Sequence, residues 1–247
     1  MPDSISNYRN MVDQPWGRMF YELIYRQLDI SDDKRVKILD FGAGFCLTAD
    51  HYAGCHDVTA LEPNSEMLAL RVKDNDYTLI SKGAEYLDTV RDNTFDVVIC
   101  HNVLEYVDDM SGILKQLKRV IKPGGILSIV KHNELGKVMG AAVLQDDPKL
   151  ALDLLNKDRF QGGAFGRIGV YSNNYIEELL ANDMDLKRTF GIRTFFGLSS
   201  NNEIKYSDEW YEAMLELEDK ASDIDEYKKI AFFNHLIFEK RPTDFLI

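Results

Sequence analysis

An open α/β domain, with a mostly parallel sheet and helices on both faces, is the fold class this sequence predicts. Three observations carry it. β-Branched apolar runs alternate with stretches of helical spacing from residue 36 to residue 132. One run, VKILDFGAGFC (Val36 to Cys46), passes from strand straight into a turn holding Asp40, Gly42 and Gly44. The following run, VTALE, ends on Glu62, 22 residues after Asp40.

The elements follow in order. Residues 15–30, PWGRMFYELIYRQLDI, place Phe20, Leu23, Ile24 and Leu28 at helical spacing after a Pro-Trp-Gly break, which predicts a helix ahead of the sheet. VKILDF, DVTALE, YTLIS, FDVVICH and GGILSIV read as strands, with helices near 46–53, 64–73, 84–90 and 109–121 between them. That order implies parallel pairing with right-handed crossovers. Beyond His132 the pattern changes: a helical stretch from Gly136 to Leu155, broken at Pro148, precedes the Gly-rich QGGAFGRIGV, so residues 133–170 read as a lid or insertion. A helix from Ser172 to Asn182, a strand over Met184 to Phe195, an acidic helix from Asp208 to about Lys220 and a last strand, IAFFNHLIFEK, complete seven strands.

Length and charge bound the possibilities. At 247 residues the chain predicts one domain over 1–247: an N-terminal helix (15–30), a core (36–132), the lid (133–170) and a C-terminal part (171–247). The net charge of −12 argues against broad non-specific attraction to nucleic acid or anionic membrane. Acidity is uneven: residues 131–193 hold 9 Lys or Arg against 9 Asp or Glu, whereas residues 194–247 hold 6 against 12. Cys46, Cys55 and Cys100 lack metal or redox spacing, and no metal cluster is visible. The polar start, MPDSISNYRNMVD, and the lack of a long apolar run predict a cytoplasmic protein with no membrane partner.

The glycine turn points to a nucleotide-like cofactor. Gly42 and Gly44 permit positive φ and close approach of backbone N–H groups to a ligand, and Glu62 is spaced to meet ribose hydroxyls. A dinucleotide fold would place a third glycine where Phe45 or Cys46 stands. Asp40 would repel a pyrophosphate, yet could accept a hydrogen bond from a cationic amine. S-adenosylmethionine carries such an amine and no phosphate.

Together with FDVVICHNVLEYVDD and LKRVIKPGGILSIV, these motifs make residues 36–132 resemble a class I S-adenosylmethionine-dependent methyltransferase. The resemblance implies a Rossmann-like fold with a mostly parallel seven-stranded sheet. It also implies roles. Gly42, Ala43 and Gly44 would pass under the cofactor, Glu62 would hold the ribose, Ala84 and Glu85 would flank the adenine, His101 would lie near the methionine portion, and Arg18 would reach its carboxylate.

The outer segments KHNELGKVM, GVYSNNYIEELLANDMDL, FGIRTFFGL and EWYEAMLELEDKASD are similar to the bacterial tRNA 5-carboxymethoxyuridine methyltransferases. This narrower resemblance implies esterification of a wobble-uridine carboxylate, with tRNA as partner. A carboxylate is already ionised at neutral pH, so the transfer needs positioning and desolvation but no general base. No catalytic residue is assigned. Arg193, Arg167, Lys131 and Tyr171 are candidates for positioning an anionic substrate, Arg193 foremost because it interrupts an apolar strand. Two alternatives stay open: a small-molecule O- or N-methyltransferase, and a non-catalytic cofactor-binding module.

Overall fold

The computed structural model describes residues 2–156 and 171–242. Helix α1 (Pro2–Val12) forms within the polar start, to which the sequence pattern assigned no element. Arg9 in its last turn pairs with Asp13 at 2.6 Å, a favourable charge at a helix C-terminus. Helix α2 (Pro15–Gln27) begins with Pro15 in its first turn and buries Met19, Phe20, Leu23 and Ile24, the predicted stripe.

Five runs become strands close to where the sequence puts them: β1 (Lys37–Phe41), β2 (Asp57–Leu61), β3 (Thr78–Ile80), β4 (Phe95–His101) and β5 (Ile121–His132). Between them lie α3 (Leu47–Ala53), α4 (Ser65–Ala69), a 3-10 segment (Ala84–Thr89) and α5 (Met110–Val120). Ile38, Leu39 and Phe41 are all buried, as expected of a strand covered on both faces. Asn64 starts α4 by accepting from the N–H groups of Glu66 (2.9 Å) and Met67 (3.2 Å), and Asp109 starts α5 by accepting from Gly112 (2.8 Å).

The second half departs from the pattern in several places. Instead of one helix broken at Pro148 there are α6 (Glu134–Met139), a π turn (Gly140–Leu144) and α7 (Pro148–Leu155). Pro148 starts a helix, because Asp147 caps Leu150 N at 2.9 Å and proline is tolerated in a first turn. After α8 (Asn173–Leu180), β6 (Met184–Ile192) stops three residues short of Phe195, since Arg193 turns to φ 61° and α9 (Phe195–Leu198) follows. Helix α10 (Asp208–Ala221), the short α11 (Asp225–Lys228) and β7 (Phe233–Lys240) end the order. The Gly-rich stretch 161–170, with Arg167, lies outside the described residues.

Among the described residues, seven strands form one sheet in the order β3-β2-β1-β4-β5-β7-β6. β1 pairs parallel with β2 and β4, and β2 with β3. β7 runs against its neighbours: Arg241 N donates to Asp183 O (2.9 Å), Arg241 pairs with Asp185 (2.7 Å) and Lys187 with Glu239 (3.6 Å). Lys240 Nζ meets Ile121 O at the far end of β5, and the His132 and Phe233 rings lie 4.7 Å apart at the other.

The chain divides into two compact units. One comprises Ile30–Ile129, Asn173–Arg188 and Leu236–Ile247; its core includes Ile38, Leu39, Ala60, Ile99, Leu117 and Leu127. The other comprises Met1–Asp29, Val130–Ser172 and Thr189–His235; its core gathers Met19, Leu23, Ile24, Ile192, Phe196 and Leu215. In the second unit the acidic α10 exposes Asp208, Glu209, Glu212 and Glu216 but buries Glu218 along with Tyr211, Leu215 and Ala221.

Candidate cofactor site

In the unit carrying β1 to β4, strand order changes direction beside β1, and the turn after β1 opens at the carboxyl ends of the strands. Open α/β sheets bind ligands at that place. The turn is drawn against β2 by Gly42 N and Ala43 N, which both donate to Leu61 O (2.8 and 3.1 Å). Gly42 has φ 74° and Gly44 φ 55°. A Cβ on Gly42 would meet Val103 Cγ2 at 2.4 Å, so backbone conformation and space both require glycine there. The third left-handed residue is Cys46, at φ 58°, where the alternation of the turn continues without a third glycine. Burial pushes its thiol up to about 11, so it stays protonated at neutral pH.

Two carboxylates flank the turn. Glu62 is buried; one oxygen accepts from Gly44 N and the other from Asn64 N, both at 2.8 Å. Each carboxylate oxygen can accept more than one hydrogen bond, so both retain capacity for hydroxyl donors. Asp40 is 3% exposed; it accepts from the Ala49 N–H of α3, while its Oδ2 is buried with no hydrogen-bond partner. Burial raises the Asp40 carboxyl from 3.8 to about 7, with the Ala49 N–H opposing the shift and the Glu62 charge adding to it. This arrangement fits S-adenosylmethionine: a buried acceptor without a donor suits an amine, and a carboxylate at the end of β2 suits two hydroxyls.

His101 ends β4, and its Nε2 lies 2.7 Å from the Oγ of the buried Ser128, which fixes the ring. Ala84 opens the 3-10 segment, and the exposed Glu85 accepts from Gly83 N at 3.0 Å. Motif reading missed Val103, Ser128 and Asn64. Only Asn64 carried a usable signal, the cap residue just before a helix.

Arg18, Lys131, Tyr171 and Arg193 belong to the second unit. Arg18 lies 4.6 Å over the Tyr211 ring and 3.9 Å from Glu22. Lys131 and Tyr171 are buried together, with the ammonium 5.4 Å from the ring centroid. Arg193 stands just past the end of β6 rather than inside the strand, because the chain leaves the extended conformation there. Its guanidinium is 5.6 to 5.8 Å from the rings of Phe196, Phe232 and Phe233. Among the described residues no His, Cys, Asp and Glu grouping could hold a metal ion. None of their helices is long and apolar enough to cross a membrane.

Comparison with known proteins agrees with this geometry. Residues 39–129 match the family model described as "Methyltransferase domain". The chain is 27% identical over 144 residues to the tRNA 5-carboxymethoxyuridine methyltransferase of Escherichia coli K12, covering 53% of this chain and 55% of that one. It is 29% identical over 123 residues to the ubiquinone biosynthesis O-methyltransferase of Rickettsia conorii, covering 47% and 42%. The chain thus spans about half the length of these curated relatives. A solved SAM-dependent methyltransferase from Aquifex aeolicus superposes with a TM-score of 0.55 at 14% identity, covering 97% of this chain and 98% of that one, which speaks to fold. Over residues 39–129 the chain is thus similar to methyltransferase domains, and its strand order and glycine turn agree with the Rossmann-like class I fold.

Proposed function

We propose that residues 1–247 act as one methyltransferase domain that esterifies the carboxylate of 5-carboxymethoxyuridine in tRNA. The observation that carries the cofactor half is the buried pair Asp40 and Glu62 around Gly42 to Gly44. S-adenosylmethionine, when bound, supplies a methyl group activated by its sulfonium. In this reading Glu62 binds the ribose and Asp40 the amine. Gly42, Ala43 and Gly44 line the turn, Ala84 and Glu85 the adenine side, His101 the methionine side, and Arg18 receives the cofactor carboxylate. Arg193, Lys131 and Tyr171 position the acceptor. No side chain needs to take a proton, because the acceptor oxygen is already anionic at neutral pH.

The likeness to a tRNA 5-carboxymethoxyuridine methyltransferase supports the acceptor. Likeness to ubiquinone biosynthesis O-methyltransferases favours a second reading, an O-methyl transfer to a small molecule. The −12 charge also suits a small acceptor, since a nucleic-acid partner needs a local cationic surface.

Methyl-labelled S-adenosylmethionine and bulk tRNA separate the two. Label is expected in tRNA whose wobble uridine ends in a free carboxylate, absent from tRNA already esterified there, and released as methanol by mild alkali, as only an ester would be. Equal or absent labelling of the two tRNA pools would refute the tRNA reading and leave the small-molecule one.

A further inference from the structure

Arg193 is set up in a way that packing alone does not require. Its φ of 61° lies in the left-handed region, which is strained for a non-glycine residue. Three phenyl rings surround its guanidinium. One of them, Phe232, fits only because Gly140 and Gly197 lack side chains: a Cβ there would meet the ring at 3.0 and 2.5 Å. Arg193 Nε is buried with no acceptor, an unfavourable state for a donor.

Glu218 is the acid whose charge reaches Arg193, yet its two oxygens accept from Thr194 N (2.8 Å) and Phe196 N (2.6 Å). Lys205, also buried, holds its ammonium 4.8 Å from the same Phe196 ring. It donates to Ser199 O (2.8 Å) and Asn202 Oδ1 (3.1 Å), leaving one of its three donors. Trp16 Nε1, in a side chain packed in the same apolar cluster, is buried without a partner as well. Arg193 Nε and Trp16 Nε1 are thus donors without an acceptor, and Glu218, the one acid whose charge reaches Arg193, has both oxygens engaged by backbone N–H groups.

We propose that Arg193 and Lys205, arranged around Phe196, form a receptor for an oxyanion carried by the methyl acceptor. Calling the ligand a methyl acceptor rests on the function proposed above; the receptor is tested by binding alone. Two sources share this chemistry, the uridine carboxylate and a nucleic-acid phosphate. Calorimetric titration of the full chain, with S-adenosylhomocysteine present, would use 5-carboxymethoxyuridine, its methyl ester, uridine 5′-monophosphate and uridine.

The acid should bind about tenfold tighter than its ester, and both Arg193→Met and Lys205→Gln should erase that preference while affinity for S-adenosylhomocysteine holds. Arg193→Lys should keep part of it. If the monophosphate, measured against uridine, shows the Arg193 and Lys205 dependence instead, the receptor stands and its oxyanion is a phosphate. Should Arg193→Met fail to fold, Lys205→Gln carries the same comparison. The proposal is overturned if neither charged probe binds better than its neutral counterpart, or if the preference survives in the folded variants. Failure of S-adenosylhomocysteine to bind would count against the methyltransferase reading, not the receptor.

Discussion

Asp40 illustrates what one residue contributes. Its carboxyl, raised by burial to about 7 in the folded chain against 3.8 before folding, favours the folded state fully below pH 3.8 and loses that contribution as pH rises through about 7. Asp40→Asn removes the ionisation. The unfolding free energy of the variant, relative to the parent, should therefore rise between pH 5 and pH 8, by at most about 2.7 kcal/mol at 1.36 kcal/mol per pH unit over the two units from pH 5 to about 7. Denaturant titrations across that range measure it, and a flat difference would contradict the buried, unpaired Oδ2. An amine arriving at Asp40 would favour the ionised form, so S-adenosylhomocysteine binding at pH 7 should release up to about half a proton per chain. Calorimetry in two buffers of different ionisation heat detects this release.

The turn from β1 into α3 is the element on which the site depends. Gly42→Ala would place a methyl group 2.4 Å from Val103 Cγ2 at a φ that alanine resists. The expected cost is about 1–3 kcal/mol of stability, with weaker S-adenosylhomocysteine binding. Adding Val103→Ala should recover the steric share but not the backbone share; full recovery in the double variant would show that conformation matters little there. Val36 to Glu62 were legible because strand periodicity, glycine and spacing act within a few residues of one another. Positions such as Val103 and Ser128 were not, because they matter through contacts across the sheet. Misread boundaries have the same origin. Pro148 starts a helix because Asp147 caps it, and β6 ends early because Arg193 adopts a conformation that no propensity predicts.

For the whole molecule, acid stability depends on groups that burial keeps neutral. His235 in β7 is fully buried, its Nδ1 is 2.9 Å from Gln27 Oε1, and burial lowers its pKa from 6.5 to about 3. A depressed pKa means that its stabilising share is complete above pH 6.5 and is lost as pH falls toward 3, opposite in direction to Asp40. His235→Phe should lower stability at pH 7, by leaving Gln27 without that partner, and flatten the decline between pH 6.5 and 4. Urea unfolding at four pH values would show it, and an unchanged acid slope would exclude His235 as its source. The sequence by itself determined the alternating α/β order, the glycine turn and the carboxylate 22 residues later, because short-range periodicity and backbone freedom dictate them. Only the tertiary structure decided that Asp40 is buried with an unpartnered oxygen, that Glu218 turns inward from an acidic helix, and that Arg193 and Lys205 share one aromatic ring. Burial and pairing belong to residues far apart in the chain, and no local pattern encodes them.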